Sequence, residues 1–134
     1  MSDKKILLKA EHIDKRFGIT HAVNDVSIDV YAGEIRALIG ENGSGKSTTE
    51  KLICGHLVSN GGTIKLFGKD YTDAGVRVKV GALIENAGCF PGSSVYTNLK
   101  MQAINLGIEN TEEEILRVLK IVRMENNADL KFKK

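Results

Sequence analysis

The chain has 134 residues, of which 42% are hydrophobic and 27% are charged, and its formal net charge is +2. This composition is typical of one soluble globular domain, and so small a net charge argues against a protein that binds nucleic acid. No apolar stretch approaches the roughly 20 residues that span a bilayer, and the two cysteines match no metal-ligand spacing. The sequence therefore indicates a cytoplasmic protein with reduced thiols.

Strand patterns begin near the amino terminus and continue through the first two thirds of the chain. Residues 6–13 and 26–30 are predicted strands, and residues 26–30 alternate apolar with polar side chains. Residues 35–39 and 80–84 are nearly continuous apolar runs, which predicts strands buried on both faces. Residues 63–67 lie between glycine-containing turns and predict another short strand.

Two helices are predicted in the last third of the chain. The first runs from about Val95 to Leu106. Its apolar face is formed by Val95, Leu99, Ala103 and Leu106. The second begins at Thr111, whose hydroxyl is predicted to cap the helix while Glu114 completes a capping box. Its apolar face is formed by Ile115, Val118, Leu119 and Val122. Strands that alternate with helices indicate an α/β protein.

A glycine-rich stretch, GENGSGKST, separates the apolar run 35–39 from a helix pattern. Its first eight residues match G-x-x-x-x-G-K-[ST], with the strand before and the helix after that this motif requires. The glycines let backbone N–H groups converge on phosphate oxygens, and the start of the helix favours an anion. Lys46 can reach the β- and γ-phosphates, and the Ser47 hydroxyl can bind Mg²⁺. The predicted nucleoside triphosphate site consists of Gly40, Glu41, Asn42, Gly43, Ser44, Gly45, Lys46, Ser47 and Thr48.

The chain resembles the ATP-binding subunits of ABC transporters over essentially its whole length. The segments KRFG (15–18), AVNDVSIDVYAGEIRALIGENGSGKSTTEKLICG (22–55) and GGTIKLFGKD (61–70) follow the order and spacing of that family. The resemblance implies a P-loop NTPase-type α/β core with an N-terminal antiparallel β subdomain, and ATP and Mg²⁺ as cofactors. It also implies that Phe17 stacks on adenine, whereas a phenylalanine taken by itself is more often an ordinary core or edge aromatic.

The segment VGALIENAGCFPGSSVYTNLKMQAINLGI (80–108) resembles the part of the family that senses the metal and then contacts the permease. Glu85 stands where most members carry glutamine, and the pattern LIENAGCFP resembles bacitracin- and lantibiotic-type exporters. A carboxylate at this position could bind Mg²⁺ directly, or Glu85 could be a solvated residue at a strand end. Glu50, where the family usually has an apolar residue, has no explanation from the sequence.

Three features of the resembled family are absent from these 134 residues: an apolar run that ends in Asp-Glu, a downstream switch histidine and an LSGGQ-like signature segment. We therefore expect an incomplete ABC ATP-binding domain without its catalytic half, and we assign no catalytic residue. Residues 1–85 would form the β subdomain and P-loop core, and residues 86–134 would begin the helical arm. The missing strand would leave a hydrophobic sheet edge that favours self-association.

The resemblance implies a subunit that binds MgATP and powers membrane export, peripheral at the inner face of the membrane. Its partners would be a membrane-spanning permease, contacted through about residues 86–105, and a second ATP-binding subunit. The alternative function is a non-catalytic nucleotide-binding or interaction module. An unrelated P-loop kinase or GTPase fits less well, because the sequence has no guanine-reading motif of the N-K-x-D type.

Overall fold

The computed structural model describes residues 3–85 and 88–133, and the chain divides into two compact units, residues 1–85 and 86–134. In the first unit the described elements are strands and short helices: β1 (Ile6–Phe17), β2 (Thr20–Tyr31), α1 (Lys46–Ile53), β3 (Gly61–Leu66), β4 (Lys69–Asp70) and α2 (Ala74–Arg77). In the second unit they are helical: α3 (Val95–Asn105), α4 (Thr111–Ile121) and a 3₁₀ helix (Glu125–Asn127).

The four strands form one antiparallel sheet in the order β2-β1-β3-β4. This sheet is the N-terminal antiparallel β subdomain that the sequence predicted. The strands predicted at 6–13, 26–30 and 63–67 lie in it, except that Phe67 follows the end of β3. One face of the sheet packs against α1 through Leu52, which is fully buried. The buried core of this unit consists of Leu8, Ala10, Ile13, Val23, Leu52, Ile64, Leu66, Tyr71 and Val76.

A β-bulge in β1 keeps the core continuous. Strict alternation from Leu8 and Ala10 would direct His12 toward the core, because successive side chains point to opposite faces. The register instead shifts between Ala10 and Ile13, and His12 has φ +51°. Ile13 is consequently fully buried, whereas the exposed His12 ring lies 2.6 Å from the Asp25 carboxylate.

The two buried strands predicted at 35–39 and 80–84 are wrong. Both segments lack regular structure, and Ile35, Ile39 and Leu83 are 98%, 90% and 80% exposed. A parallel strand is stable only when neighbouring strands satisfy its backbone and other elements cover its two faces. Among the described residues, no strand pairs with either segment, so their apolar side chains remain in water.

The second unit is organised around α3 and α4, whose buried side chains include Ala103, Ile115 and Leu119. Both helices were predicted, and the start of α3 is capped by Ser94, whose Oγ accepts a hydrogen bond from the Thr97 N–H at 3.0 Å. Residues 128–132 run along the start of α3 and share backbone hydrogen bonds with residues 92–96. This unit therefore has a small core of its own.

The capping box predicted at the start of α4 is wrong by one residue. Asn110 is the N-cap, and Thr111 is the first helical residue. The Thr111 hydroxyl donates to the carbonyl oxygen of Ile108 at 2.9 Å, and Glu114 accepts from the Arg117 guanidinium at 2.8 Å. The Arg117 guanidinium lowers the pKa of the Glu114 carboxyl below its usual value.

Candidate functional site

The glycine-rich loop enters α1 with its backbone in the left-handed region. Gly43 has φ +83°, and Gly45, the N-cap of α1, has φ +94°. A Cβ atom at Gly45 would lie 2.3 Å from the carbonyl oxygen of Ala22 on β2. Gly45 is therefore required for two reasons, since a side chain would strain the backbone and would also strike β2. Because glycine has no side chain, no N-cap group covers the first N–H groups of α1.

The Lys46 ammonium lies over this loop. Its Nζ donates to the carbonyl oxygens of Gly40 and Glu41, both at 2.6 Å, and lies 3.3 Å from the Ser44 hydroxyl. The side chain thus bonds the turn that precedes its own helix. All three acceptors are neutral, so a phosphate oxygen would bind the ammonium more strongly than any of them.

The loop, the start of α1 and the start of β2 line an open cavity of about 380 Å³. The sequence predicted six of its lining residues as nucleotide-binding and Glu85 as a metal ligand. The lining consists of Thr20, His21, Ala22, Asn42, Gly43, Gly45, Lys46, Ser47, Thr48 and Glu85. Gly40, Glu41 and Ser44 are absent from this lining and contact Lys46 instead.

The sequence did not predict the β2 residues of this cavity: Thr20, His21 and Ala22. His21 is partly buried, and its Nε2 is hydrogen-bonded to the Asp14 carboxylate on β1. No local pattern marks these residues, because they reach the loop only through the close approach of Ala22 to Gly45. They are the strand wall opposite α1.

Phe17 is at the end of β1, outside the residues that line the cavity. Its partner across the hairpin is Thr20, which does line it, and the ring is 48% exposed. The Lys15 ammonium lies 5.1 Å from the ring centroid, a cation–π distance. The ring is therefore accessible next to the cavity, and its assignment to adenine stays a prediction.

Glu85 lines the cavity with its side chain paired to α1. Its Oε2 accepts from the Lys51 ammonium at 3.2 Å, and its backbone has φ +59°. Glu50, in contrast, is exposed, so its carboxylate is not buried. An exposed carboxylate carries no desolvation cost, so a glutamate is tolerated at a position where the family usually has an apolar residue.

The donor atoms at this site suit a hard cation. Ser47 and Glu85 line the same cavity, and their hydroxyl and carboxylate groups are oxygen ligands of the type that Mg²⁺ prefers. Within residues 3–85 and 88–133, no three His, Cys, Asp or Glu side chains are grouped so that they could hold a metal ion. Mg²⁺ commonly binds through one or two protein ligands together with substrate phosphates, and this cavity fits that arrangement.

Comparison with known proteins decides the family. A family model described as "ABC transporter" matches residues 23–134. The chain belongs to the ABC transporter family. It is 32% identical over 120 residues to the lantibiotic transport ATP-binding protein SrtF of Streptococcus pyogenes, which covers 90% of this chain and 51% of SrtF. It is 30% identical over 128 residues to the sulfate/thiosulfate import ATP-binding protein CysA of Bacillus cereus, with 90% of this chain and 36% of CysA covered.

Solved structures of ABC proteins share the fold of this family member. One, an ATP-binding subunit of an ABC transporter, has a TM-score of 0.77 at 27% identity and covers 93% of this chain and 54% of its own. Another, cbiO1 from Clostridium perfringens, part of the ABC transporter complex cbiONQ, has a TM-score of 0.71 at 28% identity and covers 96% and 55%. The family and the fold class predicted from the sequence are thus confirmed.

The likeness to these relatives is partial in length. The chain spans about half the length of SrtF, and about a third of CysA. SrtF is named for lantibiotic transport and CysA for import, so the matches include proteins with different cargoes. No described helix of this ABC family member is long and apolar enough to cross a membrane.

Proposed function

We propose that this chain binds MgATP through residues 40–48 as part of the ATPase subunit of an ABC transporter. The observation that carries the proposal is the placement of Lys46 and Ser47 at the uncapped start of α1, on the wall of one open cavity. Backbone N–H groups at a helix start, with a lysine beside them, favour a phosphate group. Family membership supports ATP as the nucleotide.

Four side chains have assigned roles in this proposal. Lys46 exchanges its carbonyl acceptors for phosphate oxygens, and Phe17 stacks on adenine beside Thr20. Ser47 and Glu85 hold Mg²⁺, which, when bound, screens the charge of the triphosphate. In phosphoryl transfer, the protein contributes mainly by neutralising and orienting the phosphates. The residues of this cavity provide the phosphate-binding part of that contribution.

The proposal extends to the assembly. We infer that the chain serves an exporter of the bacitracin or lantibiotic type, and the similarity to SrtF supports this branch. It would act in the cytoplasm at the inner membrane face, with a second ATP-binding subunit and a permease. The permease would contact about residues 86–105, of which 86 and 87 lie outside the described residues. The Asn98 amide fixes the start of this surface, because its Oδ1 accepts from the Phe90 N–H at 2.7 Å.

A second candidate function is a module that binds nucleotide without hydrolysing it. Lys46 and Ser47, which line the cavity, supply the phosphate and metal contacts that this function requires. Both candidates require the phosphate cradle. They differ in turnover, not in binding.

Titration calorimetry with ATP tests the cradle. Lys46→Ala removes a charge-assisted contact worth roughly 1.5–3 kcal/mol, so ATP affinity should fall about 10- to 150-fold. Lys120→Ala, an exposed lysine in α4, is the matched control and should leave affinity unchanged. Equal affinity in the wild type and Lys46→Ala would refute the proposed site.

A further inference from the structure

Lys51 and Glu85 form an ion pair that spans 34 residues of sequence and reaches the proposed metal site. The Lys51 Nζ lies 3.2 Å from Glu85 Oε2. On α1, Lys51 follows Ser47 by four residues, which places the two side chains on one face of the helix. Ser47 and Glu85 line the same cavity. The ammonium therefore connects the helix that carries one proposed metal ligand to the carboxylate of the other.

Glu85 lies outside any helix or strand, so no regular secondary structure holds it in position. Residues 81–84 before it are irregular, and Glu85 itself has φ +59°, a conformation uncommon for a non-glycine residue. Both partners of the ion pair are partly exposed, so the pair adds little to the stability of the fold. Its main effect is to restrict where the carboxylate points. Because Oε2 accepts from Lys51, Oε1 can accept from a second partner.

The Lys51 ammonium also compensates the negative charge of Glu85. A carboxylate at the wall of a cavity that admits a triphosphate repels the ligand unless its charge is compensated. Lys51 supplies the opposite charge at hydrogen-bond distance from Glu85. The same contact that orients the carboxylate thus reduces its repulsion of phosphate while leaving an oxygen for a cation.

We propose that Lys51 is a positioning residue that holds the Glu85 carboxylate beside Ser47 for the nucleotide-bound metal. The inference rests on the proposed function, since it concerns the metal of the same site. Lys51 would contact neither nucleotide nor metal. Its effect would pass entirely through Glu85.

The test measures Mn²⁺ binding by electron paramagnetic resonance on the full chain with ATP present. Lys51→Met keeps the length of the side chain and removes its charge, and it should weaken Mn²⁺ binding about two- to fivefold, the range of a surface ion pair. Lys51→Arg should restore the wild-type value. In a Glu85→Gln background, Lys51→Met should have no effect, because the pair it removes no longer exists.

The outcomes separate this proposal from the proposed function. Calorimetry with metal-free ATP comes first, and a wild-type chain that binds no ATP refutes the proposed function together with its metal site. If ATP binds, equal Mn²⁺ affinity in the wild type and Lys51→Met refutes the positioning role alone. Tighter Mn²⁺ binding in Lys51→Met would show that Lys51 competes with the metal. Equal losses in both backgrounds would show that Lys51 acts without Glu85, and each of these results overturns the proposal.

Discussion

Replacing Gly45 with alanine tests whether the glycine-rich loop is held against β2 as the structure places it. Two costs apply at this position. An alanine at φ +94° is strained by roughly 1–2 kcal/mol, the cost of left-handed backbone for a residue with a Cβ. The new Cβ would also lie 2.3 Å from the Ala22 carbonyl oxygen, and relieving such overpacking costs about 1–3 kcal/mol more.

Gly43 offers a matched control in the same loop. It has φ +83°, yet a Cβ there would have no atom within 4 Å, so Gly43→Ala carries only the backbone strain. Urea unfolding followed by circular dichroism should give a loss of roughly 2–5 kcal/mol for Gly45→Ala and of about 1–2 kcal/mol for Gly43→Ala. Equal losses for the two variants would mean that β2 does not approach the loop at Gly45, and the strand wall of the cavity would then be misplaced.

Three further predictions concern the base, the chemistry and the exposed apolar segments. Phe17→Ala should weaken ATP and ADP equally, by about 1–3 kcal/mol, because stacking involves the base; calorimetry showing a loss for ATP alone would contradict the adenine role. The purified chain should release phosphate from MgATP far below the ordinary enzyme range of about 1 s⁻¹, and turnover near that rate that disappears in Lys46→Ala would refute the non-hydrolytic module. Lysine at both Ile35 and Ile39 should reduce concentration-dependent association in analytical ultracentrifugation, whereas Ile104→Lys should not; unchanged association would show that these apolar residues do not cause it.

The elements that the sequence predicted correctly are those specified by local patterns. The helices α3 and α4 follow from apolar residues at helical spacing, and the strand predicted at 26–30, which lies within β2, follows from alternation. The cap of α4 could not be placed to the residue, because Asn110 and Thr111 are adjacent and both are frequent N-caps. The bulge at His12 was likewise unpredictable, since it depends on the register between two strands.

The two missed strands show a different limit. An apolar run such as residues 35–39 has the composition of a strand that a complete sheet would bury, but composition cannot supply the neighbouring strands. Without partners among the described residues, these segments stay irregular and exposed. The apolar run indicates that the segment would form a strand if neighbouring strands and covered faces were present. It does not indicate which structure the segment adopts without them.

Some residues of the candidate site could be predicted from a local motif, whereas others are placed by contacts between residues distant in sequence. The motif alone located Lys46 and Ser47, because the spacing of a phosphate loop is local in sequence. The β2 wall depends on contact between Ala22 and Gly45, and the Lys51–Glu85 pair joins residues 34 apart in sequence. Phe17 and Thr20 belong to the hairpin that also carries Ala22. The contact between Ala22 and Gly45 therefore helps to set the distance between the aromatic ring and the loop. Gly45 therefore links the proposed adenine and phosphate positions, and a substitution there should disturb both at once.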